Sequence, residues 1–196
     1  KPIGSGPYMV DEFQQNAFLR LKANPNYWGG KPAYDTVIYK FVPDPTSRVA
    51  ELESGSSDVT LEIPYEEFDR LKESPDFTGY STPISDIAMI FLNDVEPMLD
   101  KNVRLAANYS IDKQAIVDRL LRGYGVVLNT LEAPEYSAVD PAIQIPYDPD
   151  KATELLAASG FSPDNPVTFT IQTTRGFKPK DYEMIQAIVG MWRKVG

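Results

Sequence analysis

The sequence contains no cysteine and no histidine. No disulfide, thiolate nucleophile or Cys/His zinc site can therefore form. Ser-His-Asp and Cys-His catalysis are excluded within the chain for the same reason. Long apolar runs are also missing, and none approaches the roughly 20 residues that span a bilayer. No secretory leader pattern is visible, and Lys1 leads straight into a turn-like Pro-Ile-Gly-Ser-Gly-Pro run, as in an expressed or processed product. Basic residues are scarce: 19 Lys and Arg face 28 Asp and Glu, a net charge of -9. Nucleic acid and anionic lipid both need Lys and Arg to replace released counterions, so neither is an expected partner. The plainest role of the acidity is solubility.

Apolar material is ample. Hydrophobic residues make up 42% of the chain and aromatics 11%, enough to build a core. The length suits one large domain or two small ones. Alternation predicts strands at Tyr8–Phe13, Ala17–Lys22 and Val37–Phe41. Asp44 as N-cap, Pro45 at the first helical position and Gly55 as a stop predict a short helix. Val59, Leu61 and Ile63 suggest a further strand. Pro64 opens a helix with Phe68 and Leu71 on one face. A strand is expected within 80–93, strongest at Ala88–Leu92.

The second half reads as more helical. Asp100 caps a helix over Asn102–Tyr109. A longer helix starts near Asp112, with Ile116, Val117, Leu120 and Leu121 as its stripe and Gly123 as its stop. Residues 129–147 are dotted with proline and read as irregular. Asp148-Pro149 starts a helix that ends before Gly160. Val167, Phe169, Ile171 and Thr173 alternate as a strand. Asp181–Val195 is amphipathic, with Ile185, Ile188, Val189 and Trp192 on one side.

Candidate chemistry is thin. The closest carboxylate pairs are Glu66-Glu67, Glu51 with Glu53, and Asp148 with Asp150. All fall at helix starts or on charged faces, where acids complement the helix dipole without any catalytic role. Asp140, Asp148 and Asp150 are interrupted by Pro141, Pro146 and Pro149, the wrong spacing for a calcium loop. Gly4-Ser5-Gly6 is too short to cradle a phosphate and runs into a strand. Tyr27 and Trp28 could stack on a ligand, but such residues more often plug the edge of a core. The residues alone describe an α/β protein without an assembled active site, no metal site and no cofactor.

The order of segments says more. Gly4-Ser5-Gly6-Pro7-Tyr8 resembles the G-T-G-P-Y run of bacterial extracellular solute-binding proteins of family 5, the binding components of oligopeptide, dipeptide and nickel ABC transporters. Asn24-Pro25-Asn26-Tyr27-Trp28-Gly29-Gly30-Lys31-Pro32 is similar to its next hallmark. Asp35, Asp44, Arg48, Leu52, Gly55 and Asp58 follow its pattern. Asn93, Pro97, Asp100, Val103 and Arg104 match N…P-F-x-D-x-x-V-R, with Met98 in place of Phe. Ala106, Tyr109, Ile111, Asp112 and Lys113 continue as A-x-x-Y-A-I-D-R/K, with Ser110 in the Ala place. Gly123-Tyr124-Gly125, Tyr147–Ala152 and Leu155–Phe161 complete it.

The resemblance implies a fold, a mechanism and a place. The fold is α/β of periplasmic-binding-protein type, with parts of two lobes joined near residues 80–93. Residues 1–84 would be part of the first lobe and 85–196 part of the second, cut from a longer protein. That protein would capture a peptide, oligosaccharide or similar solute by lobe closure and pass it to an ABC permease. It would be no enzyme, and it would work in the periplasm or outside the cell, where it could carry a lipid anchor. The fragment is expected to self-associate through surfaces that the rest would cover. Ser85, Asp86, Ala88 and Ile90 are the candidate ligand contacts, on the strand that lines the cleft. Asp86 stands near an Arg position of the family and Ala88 at an aromatic one. A roomier cleft that favours a cation or a sugar over a carboxylate would follow. Equally, Asp86 could be solvated and Ala88 merely packed. Two other readings stay open: a sensor or protein-interaction module on the same fold, and a carboxylate-dependent hydrolase.

Overall fold

The computed structural model describes residues 3–82, 84, 86–132, 140 and 142–196. The chain divides into two compact units, Lys1–Glu67 and Phe68–Gly196.

In the first unit, β1 (Tyr8–Gln14), β2 (Phe18–Ala23) and β3 (Thr36–Lys40) form an antiparallel sheet in that order. The register pairs Phe13 with Leu19 and Leu21 with Val37, and shifts between Val10 and Glu12. The shift sets Asp11 between the pairs Val10–Leu21 and Glu12–Arg20, as in a β-bulge. The Asp11 carboxylate meets Arg20 Nε at 3.0 Å and Lys22 Nζ at 3.3 Å. α1 (Pro45–Glu53) starts as its sequence predicts: the Ser47 N–H donates to the Asp44 side chain at 2.7 Å. Gly55 follows at φ +71°, a left-handed turn that glycine enters without strain.

The strand expected at Val59–Ile63 does not form, because Arg48 bends this segment onto α1. Its guanidinium donates to the carbonyls of Val42, Pro43 and Glu62 at 2.8, 2.9 and 2.7 Å. Glu62 takes φ +54°, outside any strand conformation.

α2 (Tyr65–Lys72) contains the division between the units. In the second unit, α3 (Lys101–Tyr109) and α5 (Pro149–Ala158) pack together around Met98, Val103, Ala106, Ala152 and Leu156. Each helix opens on its predicted aspartate: Asp100 accepts from Asn102 N at 2.7 Å and Asp148 from Lys151 N at 2.8 Å. Buried Ser110 ends α3 and returns its hydroxyl to the Ala106 carbonyl at 2.8 Å, so its own buried oxygen is satisfied. α6 (Asp181–Trp192) turns Ile188 inward.

The helix expected from Asp112 is shorter and wider than its apolar stripe suggests. α4 (Lys113–Ala115) passes into a π-helical turn, Ile116–Leu120. There the Leu121 N–H reaches back to the Ile116 carbonyl at 3.0 Å. Arg122 and Gly123 close it at φ +53° and +83°.

The strands expected at Ala88–Leu92 and Val167–Thr173 have no ladder partner among the described residues. Alternation prepares a segment for a sheet, but a neighbouring strand must supply the hydrogen bonds.

Candidate functional site

The candidate ligand segment runs into the α3–α5 core, where Leu92 anchors it. Upstream of that anchor, Ile90 is half-buried and Ala88 and Asp86 are exposed. Ser85 lies outside the described residues. On the alternate positions, Met89 is 43% and Phe91 85% exposed, so this segment exposes apolar side chains.

Asp86 is not simply solvated. Its carboxylate forms an ion pair with Lys178 Nζ. Lys178 belongs to the turn before α6, which Asp181 organises. Asp181 Oδ2 accepts from Thr174 Oγ1 at 2.7 Å and from Phe177 N at 3.0 Å, while Oδ1 accepts from Gly176 N at 3.0 Å. Burial pushes the Asp181 carboxyl up, but Thr174 and the backbone donors outweigh it and hold the group well below the usual range. Arg175 stacks over Tyr182 at 4.6 Å and Lys178 over Phe177 at 5.5 Å. The segment thus places Asp86 against Lys178 of a hydrogen-bonded, aromatic-backed basic turn. In the sequence Asp181 reads only as a helix start. The Thr174-x-Gly176 spacing before it was the available signal, since a small turn with free N–H groups is what a helix-start carboxylate can gather.

The other candidates resolve into scaffold. Asn24 is buried; its Nδ2 donates to the Gly6 carbonyl at 3.0 Å and its N–H to the Pro7 carbonyl at 2.8 Å. This one residue ties the Gly4–Tyr8 turn to the Asn24–Pro32 loop. Tyr27 and Trp28 lie 5.3 Å apart, and Trp28 is 84% exposed, so it plugs no core. An open groove of about 400 Å³ runs past Tyr27, Lys31 and Asp35. Glu51 is held below its ordinary range first by Lys40 and then by Ser57. Glu66 and Glu67 fall in the first turn of α2, and Asp150 in that of α5. Lys113 is pushed down by burial and donates to the Leu128 carbonyl at 3.1 Å. Among the described residues, no group of three or more acids could hold a metal ion, and no helix is long and apolar enough to cross a membrane.

The family model described as bacterial extracellular solute-binding proteins, family 5 Middle, matches residues 1–196. The chain belongs to this family. It is 31% identical over 199 residues to heme-binding protein A of Haemophilus influenzae, covering 100% of the chain and 36% of that protein. It is 29% identical to the dipeptide-binding protein of Escherichia coli, covering 100% of the chain and 37% of that protein. Among solved structures, NikZ from Campylobacter jejuni in complex with Ni(L-His) superimposes with a TM-score of 0.82 at 27% identity, over 100% of the chain and 41% of NikZ. NikA from Staphylococcus aureus gives a TM-score of 0.80 at 23% identity, covering 98% of the chain and 41% of NikA. The fold is thus α/β of the periplasmic-binding type. The chain spans less than two-fifths of the length of these two curated relatives.

Proposed function

We propose that this chain is part of the substrate-binding component of an ABC transporter, and that it binds solute without converting it. The observation that carries the reading is the family match across residues 1–196. Relatives named for heme, dipeptide and nickel binding support it. In this reading residues 1–84 belong to a first lobe and 85–196 to a second. An open form admits the solute, and contacts to both lobes favour the closed form, which a membrane permease then receives. The solute is a peptide, an oligosaccharide or a molecule of similar size. The protein works in the periplasm or outside the cell, with a lipid anchor on the longer polypeptide.

Ser85, Asp86, Ala88 and Ile90 form the ligand-facing wall in this reading. With Asp86 paired to Lys178, the wall carries both signs of charge, and a ligand with a cationic or hydroxyl group competes with Lys178 for Asp86. The test is thermal shift on the polypeptide that the gene encodes, against peptides, oligosaccharides and metal chelates. One class should raise Tm. Silence across all three classes defeats the transport reading. For the wall, Asp86→Ala should change affinity for the solute found; unchanged affinity removes Asp86 from the site.

A further inference from the structure

A pocket of about 170 Å³ lies beside α4, lined by residues 111–114, 127, 129 and 144–147. All of these residues fall within the second unit, Phe68–Gly196, so lobe closure plays no part in forming the pocket. Side chains fasten its walls. Lys113 Nζ donates to the Leu128 carbonyl at 3.1 Å. Asn129 Nδ2 donates to Gln144 Oε1 at 2.9 Å, and its Oδ1 accepts from Ile145 N at 3.3 Å. Just beyond, the Asp148 N–H donates to the Tyr109 carbonyl at 2.8 Å and fixes the end of the segment.

The charge in this pocket is unbalanced. Lys113 is half-buried and makes no ion pair among the described residues. The Leu128 carbonyl takes one ammonium hydrogen and leaves two. Burial pushes the Lys113 amine down, and no acid acts against it. Asp112 is the one acid among the lining residues, and its carboxylate accepts from the Ala115 N–H at 2.9 Å as a cap. Tyr147 also lines the pocket, and its hydroxyl has no hydrogen-bond partner among the described residues. A desolvated cation without a counter-charge is costly, and an incoming anion offsets that cost.

We propose that this pocket binds a short-chain monocarboxylate, whose oxygens accept from Lys113 Nζ and Tyr147 Oη while its alkyl end lies against Ile111, Val127 and Ile145. The volume is below the roughly 300 Å³ at which pockets for drug-sized ligands begin, which restricts the ligand to a few heavy atoms. One ammonium supplies a point charge that suits a single carboxylate. A dianion such as phosphate would meet Asp112 with no second cation to balance it.

Propionate is the probe. The 196-residue chain, labelled with nitrogen-15, is titrated with sodium propionate, with the neutral isostere propionamide, and with sodium chloride at equal ionic strength. The amide resonances of Lys113, Leu128 and Asn129 should shift saturably with propionate at millimolar concentrations. Propionamide should bind at least about tenfold more weakly, because it lacks the charge-assisted hydrogen bond. Lys113→Met should abolish binding, and Tyr147→Phe should weaken it roughly fivefold. If circular dichroism shows that Lys113→Met unfolds the chain, the comparison of propionate with propionamide decides on the unaltered protein. Absence of saturable shifts, shifts that chloride reproduces, equal binding of propionamide, or binding that neither substitution weakens overturns the site.

Discussion

The Trp192 indole N–H donates to the carbonyl of Ala107 at 2.9 Å, joining α6 to α3 across 85 residues. The Trp192 ring also meets Phe169 edge-on at 5.3 Å. The hydrogen bond and the ring contact separate in Trp192→Phe, which keeps an aromatic ring and loses the donor. The expected cost is about 1 kcal/mol. Urea unfolding should show a lower midpoint with an unchanged slope.

Leu156 is 6% exposed and sits among Met98, Val103, Ala106 and Ala152. Ala106 and Ala152 are too small to close over a void. Leu156→Ala should therefore leave most of its cavity and cost about 2–5 kcal/mol. Hydrogen exchange should quicken in α3 and α5. Loss of less than about 1 kcal/mol would mean that the helices collapse onto the gap.

The Asp181 turn makes a prediction in pH. Its folded carboxyl is held below the usual range, so its contribution is complete above the unfolded value of about 3.9 and fades as pH falls through the folded value. Amide resonances of Gly176 and Phe177, both bound to this carboxylate, should titrate with a midpoint below that unfolded value. In Asp181→Asn the titration should vanish. A midpoint at or above the ordinary value would show that the turn does not hold the charge.

Local signals were legible in sequence because they act locally. Asp44, Asp100 and Asp148 cap helices where their spacing says they should. The first three strands form because a turn and a loop of this same chain bring their partners alongside. Residues 88–92 and 167–173 carry equally good alternation, but no partner strand is present among the described residues. The π-turn at Ile116–Leu120 leaves the apolar stripe almost unchanged, so periodicity cannot distinguish it from an α-helix. The candidate wall was visible only as a position in a family pattern. Its pairing of Asp86 with Lys178 spans 92 residues and has no sequence signature.

Those unpaired segments lead to a last prediction. Val59, Leu61, Tyr80, Ile84 and Phe91 are 76, 73, 89, 70 and 85% exposed. Alternating apolar segments without a ladder offer both strand edges and exposed apolar surface, the two ingredients of edge-to-edge association. The 196-residue chain should therefore self-associate, with a sedimentation coefficient that rises with concentration. Phe91→Lys puts a charge on the exposed aromatic of the 88–92 segment, outside the α3–α5 core. It should lower association without lowering Tm, because a like-charged strand edge cannot pair. A monomer that is insensitive to dilution would show that these segments do not seek partners. Association that Phe91→Lys leaves unchanged would move the interface elsewhere, with Val59 and Leu61 the next positions to charge.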